Sequence, residues 1–177
     1  MSVYGVAVTV PAPWGPELQE RRAQFGDPMA GAIPPHVTLL PPTEIDDDLI
    51  DAFEQHLAWV AADALPFRMS LSSTGTFRPL SPVVFVQVAQ GISACEGLEV
   101  AVRSGPVTRH LEFAYHPHVT VGHHLPDEAL DRAFEALADF RCSFEVATIE
   151  LYGHGEDKVW RPVRSYALGV DAEGGES

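Results

Sequence analysis

Two histidines and two threonines carry the chemistry open to this chain, because they recur in the same four letters, Pro35-His36-Val37-Thr38 and Pro117-His118-Val119-Thr120. In an extended strand, successive side chains alternate between faces. His36 and Thr38 then share one face while Val37 and Leu39 take the other, and His118 and Thr120 likewise oppose Val119 and Val121. Each copy is a strand with an imidazole and a hydroxyl on one side and an apolar side for a core. An imidazole can give or take a proton near neutral pH. Two such strands facing one cleft would supply two proton carriers and two hydroxyl donors. Displacement at a phosphodiester needs that set: a base on the attacking oxygen, an acid on the departing one, and donors to the non-bridging oxygens.

A lone histidine on a strand is more often structural, so the pair has to be weighed by its surroundings. Both copies follow a proline, and each precedes a similar run of elements. After the first, Leu49, Ile50, Phe53, Leu57 and Val60 form one apolar stripe, which predicts a helix over Asp46 to Ala62. Its opening acids, Asp46 to Asp48, suit the positive end of a helix dipole. After the second, Leu130, Ala133, Phe134 and Leu137 predict a helix over Asp127 to Phe140. Each helix leads to a strand that begins Phe-Arg, at Phe67-Arg68 and Phe140-Arg141. An internal duplication explains this economically. Two related halves packed about a pseudo-twofold axis would bring both histidine strands to one cleft.

The remaining elements frame that core. Val3 to Val10 reads as a first strand, and helical spacing of Trp14, Leu18, Arg21 and Phe25 places a short helix at Pro16 to Phe25. Pro41 and Pro42 are expected to stop the first histidine strand. Phe67 to Thr76 and Val83 to Val88 read as strands, and Ile92, Cys95, Leu98 and Val102 mark a helix. Cys142 to Tyr152 and Val159 to Leu168 read as two closing strands, and residues 171–177 as a disordered polar tail.

Composition bounds the partners. The 177 residues carry 25 acids against 11 bases, a formal charge of -14. Such a surface repels a long polyanion, and duplex nucleic acid is excluded as a partner. A small phosphate compound, or the end of a strand, remains open. No apolar run approaches the roughly 20 residues of a membrane helix. The opening residues lack a basic leader and read as a strand, not a signal peptide. Cys95 and Cys142 have neither metal-ligand spacing nor a disulfide framework. The expectation is a reduced, cytoplasmic monomer.

These residues resemble the 2H phosphoesterases, named for two His-x-Thr/Ser motifs, and within them the bacterial 2′–5′ RNA ligase-like, cyclic phosphodiesterase branch. The resemblance runs from about Val3 to Val170. It is carried by His36-Val37-Thr38-Leu39, His118-Val119-Thr120-Val121, and Gly75-Thr76-Phe77 leading to Pro82-Val83-Val84-Phe85. It implies an α+β fold in a single domain over residues 1–170, with two pseudo-symmetric lobes of mainly antiparallel sheet and outer helices around a central cleft. It implies no metal and no cofactor, His36 and His118 as the catalytic pair, and Thr38 and Thr120 as phosphate-holding hydroxyls. The family places Phe77 and Arg78 beside the cleft. Phe77 is a candidate to stack on a base, with core packing the blander reading, and Arg78 is a candidate phosphate partner or a surface ion pair. Tyr115, Trp160 and Arg161 are candidate cleft walls, and Arg109 is a weaker phosphate candidate.

Four histidines within nine residues, His116, His118, His123 and His124, invite a metal reading. Against it, adjacent His123 and His124 would point to opposite faces of a continuing strand, and no His-Glu-x-x-His is present. His56, His110 and His154 are expected at the surface. The expected activity is opening of 2′,3′-cyclic phosphates of nucleotides or RNA ends, with 2′–5′ ligation as a related reaction. A phosphodiesterase for another cyclic phosphate, such as an ADP-ribose derivative, and a non-catalytic nucleotide or RNA-end binding module stay open as alternatives.

Overall fold

The computed structural model describes residues 1–169, and the predicted disordered tail lies outside the described residues. Eight strands form one antiparallel sheet in the order β6-β3-β4-β5-β2-β1-β7-β8. They are β1 (Ser2–Thr9), β2 (His36–Ile45), β3 (Phe67–Thr76), β4 (Val83–Gln90), β5 (His118–His123), β6 (Arg141–Val146), β7 (Thr148–His154) and β8 (Trp160–Ala167). The helices are α1 (Trp14–Gln24), α2 (Ile50–Asp63), α3 (Ile92–Arg103) and α4 (Asp127–Ala136). The two histidine strands, β2 and β5, are central neighbours, paired antiparallel at Val37 and Val119. This is the mixed, two-lobed architecture expected from the sequence, with the lobes as halves of one continuous sheet.

Alternation along the strands decides which face is core. Val37, Leu39, Val119 and Val121 are buried, together with Val6, Val8, Val84, Val86, Ile149 and Leu151 from the flanking strands. Helix residues Leu18, Phe53, Leu57, Cys95, Leu98, Val102, Leu130 and Ala133 join them in one apolar cluster. Each large side chain fully buried there contributes about 1.5–3 kcal/mol. His36, Thr38, His118 and Thr120 alternate with the buried valines and remain partly exposed.

Several local expectations change. Pro41 and Pro42 do not stop β2, which runs on to Ile45. The β1 register slips between Val6, opposite Leu40, and Tyr4, opposite Thr43. The two prolines therefore fall in a bulge, where no amide is needed. Asp46 to Asp48 precede α2 instead of opening it, and Leu49 N–H donates to Asp46 O at 2.8 Å in the turn before the helix. Helix α4 ends at Ala136, short of Phe140.

The expected closing strand Cys142 to Tyr152 is two strands. Ala147 alone separates β6, at one edge of the sheet, from β7, which pairs with β1 in the other half. One residue can span that gap only because the sheet curls and brings its ends together. The two strands led by Phe-Arg are hydrogen-bonded neighbours, Phe67 opposite Val146 through Ser72 opposite Arg141, and not counterparts in separate lobes.

Candidate active site

Both histidines are held by the same backbone device. His36 Nδ1 lies 2.7 Å from Pro34 O, and His118 Nδ1 lies 2.6 Å from His116 O. A carbonyl only accepts, so in each ring Nδ1 carries the proton and donates it. In the neutral ring Nε2 is then the basic atom, and in the charged ring it is the acid. The proline inside each motif disfavours helical backbone at the preceding residue, whose carbonyl takes this bond. His36 Nε2 lies 3.1 Å from Thr38 Oγ1, its neighbour on the same face of β2. Extending the antiparallel register from Val37 and Val119 sets His36 across from Thr120 and Thr38 across from His118.

The walls differ on the two sides. Trp160, the first residue of β8, lies on His36 with ring centroids 4.2 Å apart and a 35° tilt. Its other neighbours are His154 at 4.3 Å and Tyr152 at 5.5 Å. Around His118 stand Phe77, perpendicular at 4.9 Å, Phe85 at 5.2 Å and His116 at 5.8 Å. Phe77 and Phe85 pack on each other at 4.5 Å. Gly75 makes this possible, since a Cβ there would sit 2.6 Å from the Phe85 ring.

Burial sets the charge state of the cleft. It pushes His36 down to about 4, helped by the positive charge of Arg22 and by His118, against the opposing bond to Pro34. His118 is also lowered by burial, with its bond to His116 opposing. Both rings are therefore neutral near pH 7 before an anion binds. A phosphodiester placed between them raises both, because the charged imidazole gains an opposite charge as neighbour.

The cationic candidates are committed elsewhere. Arg78 donates to Asp131 Oδ1 at 2.8 Å and to Thr76 Oγ1 at 3.1 Å. Arg161 forms a two-pronged pair with Asp157 at 2.7 and 3.1 Å, which drives the Asp157 carboxyl down to about 2. Arg109 donates to Pro42 O and Thr43 Oγ1. Tyr115 gives its hydroxyl hydrogen to Thr38 O at 2.6 Å, and burial raises its pKa.

Other histidines depart from expectation. His123 and His124 stack at 3.7 Å instead of pointing apart, because His124 leaves the strand with a φ of 55°. His154 is the last residue of β7 and not a surface loop residue, and its Nε2 is shut off from solvent. His56 bonds Ala101 O at 2.8 Å and ties α2 to α3. Among the described residues, no group of three His, Cys, Asp or Glu is placed to hold a metal ion.

Sequence reasoning missed several neighbours of the site. Thr9, opposite His36 in β1, shares a 2.6 Å hydrogen bond with Tyr152. Gln87 stands opposite His118 in β4. Alternation along β1 and β4 would have put both on the histidine face, but only once the strand order was known. His116 and Phe85 were in view as motif neighbours and not as walls.

Residues 9–158 match the 2′-5′ RNA ligase superfamily. The chain belongs to this superfamily. Among its relatives, a Bacillus thuringiensis (strain Al Hakam) protein named "Putative phosphoesterase" is 27% identical over 147 residues, covering 81% of this chain and 84% of that protein. A Bacillus cereus (strain AH187) protein of similar name matches to the same extent. The fold is that of E. coli LigT crystallised with 3′-AMP, at a TM-score of 0.67 and 19% identity, covering 94% of this chain and 98% of LigT. TT0787 of Thermus thermophilus superposes with a TM-score of 0.65 at 20% identity, over 96% and 98% of the two chains. These matches support an enzyme of the phosphoesterase or ligase kind.

Proposed function

We propose that this protein opens 2′,3′-cyclic phosphates of nucleotides or RNA ends by paired-imidazole acid–base catalysis. The observation that carries the reading is the matched pair of Nδ1-to-carbonyl bonds, which leaves Nε2 as the atom each ring has available for proton transfer. One neutral ring takes the proton of the attacking water as its oxygen bonds to phosphorus. The other, charged, ring gives its proton to the ribose oxygen as the ester bond breaks, leaving a phosphomonoester. Thr38 and Thr120 donate to the non-bridging oxygens, where charge must be stabilised. A 5′-hydroxyl in place of water would give the 2′–5′ linkage with the same residues.

Phe77 and Trp160 form the walls against which a nucleoside rests. Arg78 and Arg161 reach phosphate only by exchanging their carboxylate partners for it. Tyr115 is assigned to the frame of the cleft. The E. coli LigT crystals hold 3′-AMP and NADP+, both nucleotides of the class proposed here. The charge of -14 favours small cyclic phosphates or strand ends over long RNA. We place the chain in a reducing cytoplasm as a monomer, with both cysteines free.

Turnover of 2′,3′-cyclic nucleotides by the wild type, His36→Ala and His118→Ala tests this. Each substitution is expected to lower kcat by about 10²- to 10⁴-fold, while a chelator leaves the wild-type rate unchanged. A wild type that binds nucleotide without turning it over would favour the binding-module reading instead.

A further inference from the structure

The seam carrying both histidines is the least paired joint in the sheet. Strands β1 and β2 pair from Ser2 to Thr9, whereas β2 and β5 pair only at Val37 and Val119. Val10 N–H donates to Pro35 O at 3.0 Å, so Pro35 and Val37 turn their backbone groups to β1 and residues 34, 36 and 38 face the seam. Continuing the register sets Pro34 across from Gly122 and His116 across from Leu40, and the carbonyls of Pro34 and His116 are taken by the two imidazoles instead of the ladder.

Two side chains supply hydrogen bonds where the ladder stops. Tyr115 donates its hydroxyl to Thr38 O at 2.6 Å. Asp27 Oδ2 accepts the amide of His123 at 3.3 Å and Arg22 Nε at 2.7 Å, while Oδ1 accepts the amide of Met29 at 2.9 Å. Their placement is reciprocal. Asp27 stands in the loop that delivers His36 and reaches the strand carrying His118. Tyr115 stands in the loop that delivers His118 and reaches the strand carrying His36. Both are anchored: Asp27 is buried with Arg22, and the Tyr115 ring packs against the core.

We infer that Asp27 and Tyr115 are positioning residues, which set the separation and facing of the two imidazoles across a seam the backbone leaves almost unpaired. This rests on the paired-imidazole reading, in which a misplacement on the order of 1 Å costs about a hundredfold in rate. A purely structural role would change melting alone. A positioning role changes how the two rings titrate and turn over.

Tyr115→Phe keeps the packed ring and removes only the bond to Thr38. It is expected to lower kcat by about ten- to a hundredfold with KM within about threefold. It also shifts the imidazole titrations of His36 and His118 followed by NMR. Asp27→Asn puts an amide N–H where only acceptors fit and leaves Arg22 without its charge partner, so its fold is checked first by circular dichroism. If folded, it shifts the same titrations; if not, Tyr115→Phe alone decides. Val60→Ala, a core change in α2 away from the seam, lowers melting and leaves both titrations in place. Wild-type kcat and wild-type titrations in Tyr115→Phe overturn the inference. A wild type with no turnover, or with full activity retained in His36→Ala, overturns the catalytic reading instead, and the titrations still decide the brace.

Discussion

His36 and His118 share a backbone and differ in everything that touches them. Each donates Nδ1 to the carbonyl two residues earlier. His36, however, lies on the indole of Trp160 and meets Thr38 Oγ1, while His118 stands among Phe77, Phe85 and His116. The charged form of His36 gains an aromatic face of the strongest kind for a cation, yet it suffers deeper burial and the field of Arg22. On the proposed mechanism the repeated motif would supply two like proton carriers, and the unlike walls are where their acid and base roles would divide.

The largest consequence of this asymmetry is in stability against pH. An unfolded histidine has a pKa near 6.5, whereas folded His36 sits at about 4. As pH falls from 6.5 to 4, the unfolded chain takes up a proton that the folded chain refuses. Stability is thus fully present above about pH 6.5 and falls by up to about 3 kcal/mol across that window. Below it the folded ring is charged as well, and the loss stops. Urea midpoints at pH 7, 5.5 and 4.5 for wild type and His36→Asn check this, because the variant lacks the drop that His36 supplies. His118→Asn changes the profile in the same direction. An unchanged slope in His36→Asn would mean that the Trp160 side of the cleft is wet, and the comparison would collapse.

How much of this could be read from the chain follows from what each residue does by default. The histidine strands and the α2 and α3 stripes were legible because burial imposes periods of 2 and 3.6 on apolar residues. The passage of β2 through Pro41 and Pro42 was not, because proline is a breaker unless a bulge in its own strand removes the need for its amide. The break at Ala147 was hidden for a related reason: Cys142 to Tyr152 has strand-forming composition throughout, and only the curl of the whole sheet makes one residue a sufficient link. Trp160 could be named as a cleft residue, but its contact with His36 depends on β8 lying beyond β7 at the sheet edge. Arg22 and Asp27 gave no signal at all, since charged residues belong at the surface unless paired. Their pairing spans five positions and was visible only in three dimensions.

A smaller effect separates the two walls. Removing the indole by Trp160→Leu takes a cation-stabilising face from His36, worth about 0.5–1 kcal/mol or more. The limb of the kcat pH profile governed by His36 should then move toward acid by about half a unit or more. Phe77→Leu removes a weaker phenyl from His118 and should move the other limb by less. Whichever limb follows Trp160 assigns His36 as base or acid in hydrolysis, a choice the matched backbone bonds leave symmetrical. Movement of one and the same limb by both substitutions would show that the rings titrate as a coupled pair, and the walls would then have no separate roles.

The smallest effect is expected where the two sides are most alike. Arg78 on one side and Arg161 on the other each hold a carboxylate, Asp131 and Asp157. Neither guanidinium is free to meet a phosphate without giving up a hydrogen-bonded partner of the same charge type. Exchanging one anion for another at an exposed site gains little, since both are solvated before and after. Arg78→Gln and Arg161→Gln should therefore raise KM for a 2′,3′-cyclic nucleotide by less than about threefold, with kcat unchanged, as measured by steady-state kinetics at low ionic strength. A rise of tenfold or more in either variant alone would place the phosphate nearer that side. The two halves would then differ in how they hold substrate as well as in how they hold the proton.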